Sequence, residues 1–177
     1  MATIRPGMLS KLRPVAGRKC DVELLPAPVP ANGRLNVLGF RVTAGEEGSD
    51  LDIAETVVGI GAGLVDKADV GMLRELAQVL GGTVGTTLAG VREGILPGPL
   101  QIGLTGRSIA PRFYLAVAIS GMLNHTIGLH KAGTIAVINK DPEALFFKNC
   151  DFGVAGDYRE IVPCLTKLVQ EARAVRA

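Results

Sequence analysis

Tryptophan is missing from this chain, and its other aromatics are only two Tyr and five Phe. With 47% hydrophobic residues, the core must come from Val, Ile, Leu and Ala. Such a composition favours buried parallel strands flanked by helices. Long apolar runs are missing too: none reaches the roughly 18 residues of a bilayer span. The opening MATIRPGMLSKLRP has no apolar segment, so no secretory signal is expected and a cytoplasmic location is. Charge imbalance is slight, with 19 basic and 17 acidic residues and a formal net charge of +2. No basic stripe carries interleaved aromatics, which argues against a nucleic-acid partner.

Cysteine and histidine are scarce. Cys20, Cys150 and Cys164 are odd in number and lack metal or redox spacing, so reduced thiols are expected. The two histidines lie far from them, and no metal site is predicted. No nucleophile–base triad stands out either, so no catalytic residue is assigned.

Glycine is what the chain has in excess: 23 residues, about twice the usual share. It gathers where strands are predicted to end, which suits loops that approach a ligand closely. The organising stretch is QIGLTGRSIAPRFYLAVAISGMLNH, residues 101–125. It reads as a short strand over 101–104, a turn at Thr105 and Gly106, and a helix beginning near Pro111. A second turn at Ser120 and Gly121 leads into a helical segment ending near Gly128. Two turns followed by helix starts would offer free backbone N–H groups to phosphate or carbonyl oxygens.

Residues 1–33 read as an irregular arm or linker, broken by Pro6, Pro14, Pro26, Pro28 and Pro30, with at most a short strand over 2–5. An edge strand is predicted over 34–43, and an α/β domain over 34–177. Further strands are expected at 55–60, 82–86, 134–138 and 150–155. Helices are expected at 69–80, 88–93 and 159–173, with a helical turn reaching Phe147. Strands alternating with helices at this interval imply a doubly wound parallel sheet, Rossmann-like, with ligands at the carboxyl ends of its strands. GIGAG, TTLAG, LTGRS, INKDP and GVAGD are all expected at those ends. GIGAG is not G-x-G-x-x-G, and alone it is a weak dinucleotide signal. Arg107 and Arg112 read as solvent-facing helix charges.

The runs QIGLTGRSIAPRFYLAVAISGMLNH and TIAVINKDPEALFFKNCDFGVAGD closely resemble the C-terminal, FAD-binding domain of the electron transfer flavoprotein alpha subunit. That family carries Q-x-G-Q-T-G-x-x-x-x-P-x-L-Y-x-x-x-x-I-S-G-x-x-x-H, then I-N-x-D-P-x-A-x-I-F, then D-x-G-x-x-x-D. The resemblance covers about residues 52–173 and lacks the family's N-terminal domain. It implies a DHS-like NAD/FAD-binding fold holding one FAD. Thr105 would meet flavin N5, with Ile102, Gly103 and Leu104 leading into it. His125 would sit at the pyrimidine carbonyl, its pKa within reach of neutrality. Ser120 and Gly121 would bind pyrophosphate, followed by Met122, Leu123 and Asn124. Asn139 and Asp157 would contact the adenosine half, and Thr87 would touch the cofactor as well.

The resemblance further implies an electron carrier between a dehydrogenase and a quinone-linked or iron–sulfur acceptor. A beta-like subunit, or self-association, would cover its exposed apolar surface. Three positions depart from the family: Ala62 and Leu88 replace arginines, and Leu104 replaces a glutamine. Each lost charged contact predicts weaker FAD binding, by roughly 1.5–3 kcal/mol. The alternative is a member with a degenerate site, serving as a nucleotide-binding or structural subunit.

Overall fold

A computed structural model of the protein describes residues 50–174, together with Gly17, Glu23 and Leu24. The strands expected over 2–5 and 34–43, the boundary at 33/34 and Cys20 lie outside the described residues. Five parallel strands form one sheet: β1 (Thr56–Ile60), β2 (Thr83–Thr86), β3 (Phe113–Val117), β4 (Thr134–Asn139) and β5 (Phe152–Ala155). Their order is β2-β1-β3-β4-β5. The helices are α1 (Val70–Val79), α2 (Leu88–Arg92), α3 (Leu123–Thr126) and α4 (Tyr158–Ala174). The α/β class and the parallel sheet are as the alternating pattern predicted.

Apolar runs make the central strands. Val57, Val58 and Ile60 of β1, and Tyr114, Leu115, Ala116 and Val117 of β3, are all buried. Burial on both faces selects continuous hydrophobicity over alternation. The register sets Gly85, Gly59, Ala116, Val137 and Gly153 in one row across the sheet. Side chains at its three glycines would overlap Ile102, Tyr114 and Phe147 respectively. That row lets an outer layer of loops sit close upon the sheet. Elsewhere α1 buries Leu73, Leu76 and Ala77 and packs beside α4.

Tyr158, at the start of α4, ties the two helices together. Its hydroxyl donates to Asp69 Oδ2 at 2.6 Å and accepts from the Val65 N–H at 2.9 Å. Arg159 Nε donates to the same Asp69 oxygen at 2.8 Å. These two bonds, that of Tyr158 foremost, hold the Asp69 carboxyl below its ordinary pKa.

The predicted order inside the organising stretch is wrong in two respects. No helix begins at Pro111; residues 113–117 are β3, at the centre of the sheet. A five-residue apolar run does not reveal its period. Ladder bonds to β1 on one side and β4 on the other make it a strand. Residues 101–104, predicted as that strand, contribute only isolated bridges, Gln101 to Thr86 and Ile102 to Arg107. LTGRS therefore precedes β3 instead of leaving its end. Its route to the rim is lateral: Ile102 N donates to Thr86 O at 2.8 Å, and Leu104 N to Asn124 O at 2.8 Å. Arg107 is no helix charge. It pairs with Asp52, and its Nε donates to Pro99 O at 2.8 Å, strapping the loop down. Arg112 pairs loosely with Glu55 at 3.6 Å, both side chains being exposed.

Candidate functional site

The chain reverses direction across the sheet between β1 and β3, which are neighbours while β2 lies on the outer side of β1. Crevices form at such a switch point, beyond the carboxyl ends of the strands. Here the loop after β1 meets the loop after β3 backbone to backbone. Gly61 N donates to Val117 O at 2.9 Å, and Gly63 N to Ala118 O at 3.3 Å. A Cβ at Gly61 would overlap the Ala118 carbonyl, so a side chain there would force the loops apart. Ala118 itself has φ 54°, in the left-handed region that L-residues avoid. Strained backbone of this kind gathers at ligand sites.

Between these loops opens a cleft of about 540 Å³. Its lining includes Gly61, Ala62 and Gly63 after β1, Thr87 and Leu88 after β2, Ala118 to Ser120 after β3, and Asn139 after β4. The lateral loop adds Leu104 and Thr105, and the α3 segment adds Met122, Asn124 and His125. A smaller cavity of about 210 Å³ adjoins it, sharing Gly63, Ala118, Asn139 and Asp141, and Asp157 lies there. Of the residues expected at the site, Ile102, Gly103, Gly121 and Leu123 do not line either space. Ile102, Gly103 and Gly121 are buried, whereas Leu123 is 72% exposed.

The side chains are held by local bonds. Thr87 caps α2, its Oγ1 accepting from the Gly90 N–H at 3.0 Å. Thr105 Oγ1 accepts from Gln101 Nε2 at 2.9 Å. Asn139 bridges two rim loops: Nδ2 donates to Ile119 O at 2.9 Å, and Oδ1 accepts from Asp141 N at 3.0 Å. Its amide still has a second N–H and a second lone pair for a ligand. Asp157 Oδ1 accepts from Arg159 N at 2.9 Å at the head of α4. Thr105 and Ser120 are exposed. The α2 and α3 starts add N–H groups without helical partners.

His125 differs from its expectation. It is buried, with Nδ1 3.1 Å from Ile102 O and Nε2 2.8 Å from the Tyr114 hydroxyl. Burial pushes its pKa down to about 4, with the Ile102 carbonyl pulling weakly the other way. At neutral pH it is therefore uncharged.

Arg92 and Asp141 also line the cleft; Asp141 belongs to the INKDP run, where the resemblance implied a contact for Asn139 alone, and Arg92 lies outside both runs. Among the described lining residues they are the one cation and the one carboxylate. Arg92 stands four residues after Leu88, on the same side of α2. Helical spacing was the available signal. Ala62, Leu88 and Leu104 line the same space, making that part of the wall apolar. Hydroxyls, amides, loop N–H groups and one guanidinium form a donor set that can take up oxygen acceptors of a bound ligand. Among the described residues no group of metal-ligating side chains occurs, and no helix is long and apolar enough to cross a membrane.

Residues 50–130 match the family model described as the electron transfer flavoprotein FAD-binding domain. The protein FixB of Clostridium saccharobutylicum is 34% identical over 176 residues, which are 99% of this chain and 51% of that protein. An electron transfer flavoprotein subunit alpha of Mycobacterium leprae is 36% identical over 151 residues, 85% of this chain and 46% of that one. The lactate dehydrogenase (NAD(+),ferredoxin) subunit LctC of Acetobacterium woodii is 38% identical over 131 residues, 74% of this chain and 31% of that subunit. The chain spans about half the length of the curated relatives it matches, or less.

Proposed function

We propose, because this chain belongs to the electron transfer flavoprotein alpha-subunit family, that its cleft holds FAD and that it works as an electron-transfer module. The observation that carries this reading is the meeting of Thr105 and His125 in one cleft at the β1/β3 switch point. Bound FAD would supply a flavin that takes up and releases electrons, the redox chemistry being the cofactor's own. The chain's part is to bind, orient and bias it. Thr105 would hold the redox ring, His125, with both nitrogens bonded to Ile102 and Tyr114, would pack beside its pyrimidine end, and Ile102, Gly103 and Leu104 would shape the loop beneath. Ser120, Gly121 and the α3 start at Met122, Leu123 and Asn124 would take the pyrophosphate. Asn139 and Asp157 would hold the adenosine half, and Thr87 would fix the α2 end against the ligand.

The donor would be a dehydrogenase and the acceptor a quinone-linked or iron–sulfur protein in the cytoplasm. Leu104 and Met122, 59% and 58% exposed, give the cleft lining an exposed apolar surface, and Leu123, next to Met122 in the chain, is 72% exposed. We assign that surface to a beta-like subunit or to a second copy of the chain. A specific observation favours a second reading: Ala62, Leu88 and Leu104 give the cleft an apolar wall where the family has polar groups. A nucleotide-binding or structural subunit without redox activity fits that wall.

The deciding experiment is an absorbance spectrum of the purified chain followed by FAD titration. A flavin band, or saturable FAD uptake, is the expected result. A colourless protein that FAD cannot reconstitute would overturn the first reading. If it bound ADP by calorimetry, the second would stand.

A further inference from the structure

We propose that Tyr114 is a positioning residue for the cleft: its hydroxyl, with the Ile102 carbonyl, holds His125 in the uncharged Nδ1–H form, so the imidazole meets a ligand without positive charge. The ligand side of this inference rests on the cofactor reading above; the bonding arrangement does not.

A backbone carbonyl can only accept, so the imidazole nitrogen 3.1 Å from Ile102 O carries a hydrogen. The other nitrogen lies 2.8 Å from the Tyr114 hydroxyl. If Nε2 were also protonated, that hydroxyl would have to accept, leaving its own proton without an acceptor. Tyr114 is fully buried, and no buried side-chain polar atom among the described residues lacks a partner. Only one arrangement satisfies every group: Tyr114 donates, Nε2 accepts, and Nδ1–H donates to Ile102.

The surroundings favour the same state. His125 packs edge-on to Phe146, with ring centroids 6.1 Å apart, and Phe146 lies 6.4 Å from Tyr114. From β1 comes Gly59, where any Cβ would overlap the Tyr114 hydroxyl. From β3 comes Tyr114, and from the lateral loop only the Ile102 carbonyl. No charged side chain is among the influences on the imidazole. Positive charge at the cleft therefore falls to Arg92 on α2 and not to His125.

The test is long-range ¹H–¹⁵N correlation of the whole chain without ligand. Only two imidazoles contribute, and His130→Asn assigns them. His125 is expected to show a protonated Nδ1 and a bare, hydrogen-bonded Nε2, unchanged between about pH 5 and 8. Tyr114→Phe keeps the ring and removes the bond. It should move the Nε2 resonance, while burial keeps the imidazole uncharged over the same range. A cation or an Nε2–H form in the unaltered chain would overturn the proposal, whether or not the variant folds. So would a Tyr114→Phe spectrum identical at His125. FAD titration of the same samples reads the cofactor assignment separately: its failure would leave the tautomer result standing, and the reverse holds equally.

Discussion

At Arg92 the cleft acquires a positive charge that neither Ala62 nor Leu88 supplies. Motif matching passes over this residue because it lies ahead of both recognised runs. One turn of helix nonetheless carries it back to the position Leu88 leaves apolar. Arg92→Leu is expected to weaken FAD binding about fivefold, by about 1 kcal/mol, the scale of an exposed ionic contact; FAD titration at low and high salt checks it, since the loss should shrink as salt rises. His125 was legible as a cleft residue, but its charge state was not, because burial and two bonds set it. Its folded pKa of about 4 lies below the ordinary 6.5. The unfolded chain thus binds a proton that the folded one refuses. Stability is full above about pH 6.5 and falls as pH drops toward 4, by at most about 3 kcal/mol. Denaturant melts across that range should show the slope, and His125→Gln should flatten it.

Between elements, close approach decides more than propensity. The loops after β1 and β3 touch through Gly61 and Ala118. Gly61→Ala should therefore lose about 1–3 kcal/mol of stability in denaturant melts, the usual scale of overpacking. It should also reshape the cleft enough to impair FAD uptake. The α1–α4 contact turns on Tyr158, whose hydroxyl serves both Asp69 and Val65. Tyr158→Phe is expected to lose about 1 kcal/mol by the same assay. The lowered Asp69 pKa adds a second acid-sensitive contribution, present above about pH 4 and lost as pH falls below it. In β3 local reading failed: Pro111 suited a helix start, and FYLAV suits either state. Neighbours on both edges chose the strand.

Over the whole molecule, the chain spans about half the length of the curated relatives it matches, and Leu104 and Met122 stand exposed in the cleft lining. Light scattering should find it larger than a monomer, or find it bound when a beta-like subunit is added; a clean monomer in both would count against that assignment. The sequence by itself determined the class of fold, because the spacing of apolar runs and glycines is a local property that sheet and helix periods must obey. It determined most of the rim as well, since Thr105, Ser120, Asn139 and their neighbours lie in long runs of kept spacing. Only tertiary structure decided that LTGRS enters sideways, that β3 is central, that His125 is uncharged, and that Arg92 faces the cleft. Each of those depends on which groups come within bonding reach once the sheet has formed, and spacing along the chain does not state that even where both partners lie in one stretch.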